Sequence, residues 1–313
     1  MSHAMRPHHF ITSLLALVFC FHWAAAAHCS GPRHTCDRNE FEKQFYELAK
    51  SQTPVSDKVT YHAYETLYGM FIVPLRHATH TPKMLEIGLG CGMETGPSAS
   101  VNVWRALLPK AELWEAEYDA ECAKKSRAEG QLEGIKVVTG DQGDFKVLDA
   151  WKDEFGDDFD VIIDDGGHRN SQIGNSFDRL WPLVKLGGVY VIEDLQVGRM
   201  ADYEDTEGEN IMADKIKDWI EQLLTYRGPD LSVVVGAKKK KKAMKRSKLV
   251  LEGVTHPIPA DVAFVFCQLE ACVIGKRNAH TKGAPGNPGH DFPVRVRRYL
   301  RGEQVLLNAT RLE

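Results

Sequence analysis

Beyond its first 27 residues the chain has no apolar run long enough to cross a bilayer, which excludes a multi-span membrane protein. It has no excess of one charge. Its 39 Lys and Arg against 43 Asp and Glu leave a formal net charge of −4, so no overall field draws it to nucleic acid and none is expected as a partner. Internal repeats are absent, which excludes solenoids and propellers. The dinucleotide fingerprint G-x-G-x-x-G is missing too: in KMLEIGLGCG (83–92) the third glycine comes one residue early, and Met93 stands where it should be. What remains, 313 residues at 43% hydrophobic and 26% charged, is ample for one α/β domain with appendages.

Two short segments are the most informative. IIDDGGH (162–168) and VIEDL (191–195) each read as a buried β-branched strand running into acids: Asp164, Asp165 and His168 in the first, Glu193 and Asp194 in the second. Such acids sit at the carboxyl edge of a sheet, where open α/β folds bind ligands. The stretch between them holds one crossover helix and a glycine stop, which makes the strands parallel neighbours. Alternation turns Asp164 away from Asp165.

Upstream, KMLEIGLGCG reads as a short apolar strand ending in Glu86, followed by Gly88, Gly90 and Gly92, where the backbone can approach a ligand closely. AELWEAEYD (111–119) reads as a second strand ending near Glu117, and IKVVTGDQGDF (135–145) as a third ending in Asp141. DVAFVFCQLEACVIGK (261–276) supplies a final pair of strands about Gln268, Leu269 and Glu270. Strand and helix alternate throughout, which predicts a doubly wound, mostly parallel Rossmann-like sheet. Acid-x-Gly-x-Gly-x-Gly, with the later acids in this order, resembles the class I S-adenosylmethionine (SAM) methyltransferases. That resemblance implies SAM bound by Glu86 and the glycine loop, with the ribose on Glu117 and the adenine beside Asp141 and Gln142.

The appendages carry other signals. Residues 1–27 have the layout of a cleaved secretory leader, with small residues Ala24 to Ala27 before His28. The alternative is an uncut signal anchor leaving the enzyme domain lumenal, since residues 10–27 are nearly all apolar. Without the leader six cysteines remain. Cys29 and Cys36 can pair in an oxidising lumen, and Cys267 and Cys272 can pair if the hairpin brings them into register. Cys91 reads as a small residue that fits the glycine loop. A sequon stands at Asn308.

Residues 28–80 read as a helical cap: Asp37 and Glu40 form a capping box, and Phe41, Phe45 and Leu48 share a face. Its stripe of Tyr61, His62, Tyr64 and Tyr68 reads as core or as a source of substrate contacts, Tyr64 and Tyr68 being the candidates for the latter. Residues 196–210 read as a lid or as a solvated loop. A helix is expected over 211–226, with Met212, Ile216, Trp219, Ile220, Leu223 and Leu224 on one stripe. A Lys-rich insertion at 237–248 and a basic tail at 281–313 complete the chain around a main domain of 81–280.

A narrower resemblance spans about residues 56–276. SDK with His-x-Tyr, LEIGLGCG, GDQ-x-D, DDGGH and LWPLVKLGGVYVIEDL are similar to the sugar O-methyltransferases of macrolide and related antibiotic pathways. The resemblance implies a divalent metal, usually magnesium, on Asp165, Glu193 and Asp194, with His168 as general base; the bland alternative for His168 is a turn histidine. It implies a sugar or glycoside acceptor. A phenolic acceptor on the same metal, or a secreted binding protein on a fold that has lost catalysis, are the other readings.

Overall fold

The apolar runs that alternate become strands. In the computed structural model, which describes residues 38–93, 96–203, 211–224 and 256–277, these are β1 (Lys83–Ile87), β2 (Glu112–Glu117), β3 (Lys136–Thr139), β4 (Phe159–Asp164), β5 (Val184–Ile192), β6 (Val262–Cys267) and β7 (Cys272–Lys276). They form one sheet in the order β3-β2-β1-β4-β5-β7-β6. β1 to β5 are mutually parallel, β4 and β5 are neighbours as expected, and β7 runs antiparallel to both β5 and β6.

Crossovers are made by α3 (Ala99–Leu107), α4 (Ala120–Ala128), α5 (Phe145–Phe155) and α6 (Asn170–Leu180). The cap contributes α1 (Arg38–Lys50) and α2 (Glu65–Phe71), and α7 (Met212–Leu224) follows β5. Strand alternation splits the core in two. Met84, Val161, Ile163, Val189 and Val191 pack with α1, α2 and α3 on one face. Leu85, Ile87, Ile162, Tyr190 and Ile192 pack with α5, α6 and α7 on the other. This is the three-layer, doubly wound arrangement the periodicity predicts.

Three readings need adjustment. The aromatic stripe of the cap does not lie on one helix, because a 3₁₀ turn at Asp57–Val59 precedes α2 and another at Val73–His77 follows it. In α7, Met212, Ile216 and Trp219 are buried, but Leu224 is 84% exposed, so the apolar face is shorter than the pattern suggests. Cys91 is not merely a small loop residue: it is disulfide-bonded to Cys122 in α4. The conditional pair Cys267–Cys272 is bonded, the two cysteines being direct partners across the hairpin. Among the described residues no helix is long and apolar enough to cross a membrane. The leader, the Cys29–Cys36 pair, the 204–210 part of the lid, the Lys-rich insertion, the basic tail and its sequon lie outside the described residues.

Candidate active site

The acids reach the site by simple alternation. Leu85 and Ile87 face the α5–α6 layer, so Glu86 between them faces the cap, as does Glu115 between Trp114 and Ala116. Ile162 and Ile192 face the α5–α6 layer as well, which turns Asp165 and Glu193 to the cap side. A row of carboxylates therefore crosses β2, β1, β4 and β5 on one face. Lys58 descends on it from the cap, its Nζ lying 2.6 Å from Asp165 Oδ2, 2.8 Å from Glu193 Oε1 and 3.3 Å from Glu86 Oε1. Asp164 takes the opposite face, as expected, and is held by Gln142, Ser176 and Tyr190.

Burial and charge oppose each other here. Burial would strip Lys58 of its proton, but the carboxylates of Asp165, Glu193 and Glu86 outweigh it and hold the ammonium well above its ordinary range. Burial raises Asp165 against the pull of Lys58, and pushes Glu193 up to about 7 against the same pull. Glu115 is pushed well above the carboxylate range, first by burial and then by Glu86.

A second group lies outward, at the cleft. Asp194 and His168 both hold left-handed backbone conformations, at φ 53° and 56°, a strain that non-glycine residues keep where the surroundings enforce it. His168 Nε2 is 3.6 Å from Asp194 Oδ2 and 3.9 Å from Asp165 Oδ1. Its Nδ1 is buried without a partner. On the far side of Asp194, the Tyr64 hydroxyl donates to Oδ1 over 2.8 Å, and His62 Nε2 stands 3.6 Å from the same oxygen. Burial would raise Asp194, yet His168, Tyr64, Gln196 and His62 together hold it below its ordinary value.

These groups border a cleft of about 750 Å³, within the range of small-molecule sites. Gly88, Gly90, Gly92, Glu117, Asp141 and Gln142 line its other half. Gly88 is required by chain packing, since a Cβ there would collide with the Asp165 carbonyl, whereas around Gly92 there is open space. Glu117 accepts from the Leu89 amide (3.0 Å) and the Asp119 amide (2.8 Å). Asp141 accepts from the Gly143 amide over 2.7 Å.

Several expected residues stand elsewhere. Glu86 is fully buried and does not line the cleft; Ser100 and Trp104 donate to its Oε2 over 2.6 and 2.8 Å. It belongs to the row of acids beneath the glycine loop. Tyr64 and Tyr68 are also fully buried: their rings are core and their hydroxyls hold Asp194 and Glu193. The expected metal trio is divided. Asp165 falls in two compact donor groups, one with His168 and Asp194, the other with Glu86 and Glu193. Lys58, His62 and Glu270 had been given no role, though SDK and His-x-Tyr were visible as motifs.

No family model matches the chain. It is 34% identical over 137 residues to mycinamicin VI 2''-O-methyltransferase of Micromonospora griseorubida, covering 41% of this chain and 32% of that one. It is 38% identical over 115 residues to demethylmacrocin O-methyltransferase of Streptomyces fradiae (36% and 27% covered). A third relative is 8-demethyl-8-alpha-L-rhamnosyl tetracenomycin-C 2'-O-methyltransferase of Streptomyces olivaceus, 33% identical over 144 residues (45% and 35%). The chain thus spans about a third of the length of the curated relatives it matches.

Among solved structures, the MycE methyltransferase of the mycinamycin pathway in complex with Mg, SAH and mycinamycin VI superposes with a TM-score of 0.53 at 20% identity, covering 80% of this chain and 57% of that one. A second crystal form of MycE, with Mg and SAH, gives 0.54 over 87% and 61%. The fold is that of the class I SAM-dependent methyltransferases.

Proposed function

We propose that this chain is a SAM-dependent O-methyltransferase acting on a hydroxyl of a sugar or a glycosylated small molecule. The observation that carries the reading is the meeting, in one cleft, of Glu117 and Asp141 with Asp165, His168 and Asp194. The relatives named above act on sugars of antibiotics and the solved neighbours hold Mg and SAH, which supports the acceptor class and both cofactors. The phenolic and non-catalytic alternatives gain no observation of their own.

Methyl transfer from a sulfonium is an in-line displacement, so the protein must align an acceptor oxygen with the methyl and remove its proton. In this reading the Gly88–Gly92 loop, Glu117, Asp141 and Gln142 hold SAM. The carboxylates of Asp165 and Asp194, both within 4 Å of His168 Nε2, would hold the ion with hard oxygen donors that suit magnesium, leaving that nitrogen free. A divalent ion bound there supplies orientation of vicinal hydroxyls and a lowered hydroxyl pKa. His168 takes the proton at Nε2, and Asp194 at 3.6 Å steadies the imidazolium that results.

We extend the reading to location. The leader directs the chain to the secretory pathway, and the disulfides Cys91–Cys122 and Cys267–Cys272 support an oxidising compartment.

The test uses protein lacking residues 1–27, labelled SAM, magnesium and a panel of glycosides, catechols and cell-wall sugars. Transfer to glycosides is expected; no labelled product from any sugar removes the acceptor class. Chelator should stop turnover while SAM stays bound, and full activity in chelator rules out the metal. His168→Ala should lower kcat by about 10²–10⁴ with little change in SAM affinity.

A further inference from the structure

Lys58 is 1% exposed, and neither the cofactor reading nor the proton transfer uses it. A fully buried ammonium is costly unless each of its protons meets an acceptor. Here three carboxylates surround it: Asp165 Oδ2 at 2.6 Å, both oxygens of Glu193 at 2.8 and 2.9 Å, and Glu86 Oε1 at 3.3 Å. Its stem runs beside the Tyr68 ring, with Nζ 5.9 Å from the centroid. The backbone is anchored too. The Lys58 amide donates to Ser56 Oγ over 3.3 Å, and the Lys58 carbonyl accepts from the Tyr64 amide over 3.0 Å. A short turn in the cap thus exists in a form that delivers one positive charge to the centre of the acid row.

The division of oxygens matters. Asp165 gives Oδ2 to Lys58, and its other oxygen, Oδ1, is the one near His168. Glu193 gives both oxygens to Lys58 and accepts from the Tyr68 hydroxyl as well.

We propose that Lys58 is the resident counter-ion of the acid row and a positioning residue. It assembles Asp165 and Glu193 at the sheet edge before any divalent ion arrives, and it turns Asp165 Oδ1 toward His168 and the cleft. A site built in this way keeps its shape when the metal leaves. The inference rests on the geometry of the acids and is independent of the methyl-transfer reading, so its test needs no turnover.

The experiment is thermal unfolding of the full chain in chelator and in excess Mn²⁺, for wild type, Lys58→Met and the double variant Lys58→Met/Glu193→Gln. Wild type should differ between the two buffers only by what an ion bound at the cleft contributes. Lys58→Met should melt well below it in chelator and regain several degrees with Mn²⁺, which enters where the ammonium was; binding to the folded state alone shifts a transition in this way. A lysine that served only packing would give the same loss in both buffers, and that result overturns the proposal. So does a Lys58→Met variant whose gain with Mn²⁺ is no larger than that of wild type, or one as stable as wild type. If Lys58→Met does not fold, the double variant decides, because it removes one carboxylate together with the cation. It should fold and melt cooperatively, and failure to do so also overturns the proposal.

Discussion

His62 Nδ1 and Glu270 Oε2 lie 2.7 Å apart, joining the N-terminal cap to the tip of the last hairpin. His62 also stacks on Tyr64, with ring centroids 4.7 Å apart, so one imidazole is fixed from two sides.

That contact carries a pH dependence. Burial would lower the His62 pKa, but the hydrogen bond it donates to Glu270 and the charges of Asp194 and Glu270 overcome it and raise the group above its ordinary value. A raised pKa in the folded state means the contribution is complete below the unfolded value, near 6.5, and fades as pH rises through the folded one. Glu270→Gln should therefore lower the Tm more at about pH 5.5 than at about pH 8.5. Equal losses at the two pH values would show that the charge on His62 is irrelevant.

Tyr64→Phe deletes one hydroxyl from a buried ring and leaves Asp194 Oδ1 without its 2.8 Å donor. Loss of a hydrogen bond to a charged group costs about 1.5–3 kcal/mol. Denaturant unfolding should show that loss, while calorimetry should find SAM affinity unchanged. A parallel drop in SAM affinity would show that the hydroxyl acts on the cofactor half of the cleft as well.

On the cofactor side, Glu117→Ala and Asp141→Ala should each weaken SAM binding by about 1–3 kcal/mol, the scale of a lost buried hydrogen bond. Glu117→Ala should cost stability as well, because the Leu89 and Asp119 amides lose their acceptor. Isothermal titration with unchanged affinity in both variants removes these acids from the cofactor site.

The bond from Cys91 to Cys122 spans 31 residues and includes all of β2. Closing a loop of that length is worth about 3–4 kcal/mol of unfolded-state entropy. Replacing both cysteines with serine should lower unfolding stability by that order and weaken SAM binding, since Cys91 lies in the glycine loop at the cleft. An unchanged denaturation midpoint would show that the loop is held without the bond.

How much of this was legible depends on the range of the interaction. Strand alternation is local, so Asp164 could be set apart from Asp165, and Glu193 and Asp194 placed at an edge, from IIDDGGH and VIEDL alone. Glu86 shares a face with Asp165 but lies within β1, where Ser100 and Trp104 from α3 cover it, and that burial is not visible in KMLEIGLGCG. The aromatic spacing left Tyr64 and Tyr68 open as core or as substrate contacts, and their hydroxyl partners lie 130 and 125 residues away. Lys58 is the extreme case. Its partners are 107 and 135 residues distant, and nothing in the residues around SDK reveals that a charge there will be buried. The Cys91–Cys122 pair was hidden for the same reason, because only the return of α4 beside the glycine loop brings the sulfurs together.

The β6–β7 hairpin does more than complete the sheet. Its Gln268 side chain donates to the Ala63 carbonyl (2.8 Å) and accepts from the Leu67 amide (3.0 Å), and Phe71 of α2 stacks on Phe264 with centroids 5.5 Å apart. With the His62–Glu270 bond, these contacts clasp the cap to the last hairpin of the sheet. A cap clasped at that end cannot swing open about its own linker without first tearing the hairpin tip away. In the proposed reading, ligands pass at the rim of the cleft, where Tyr61 stands 81% exposed, without movement of the cap as a body.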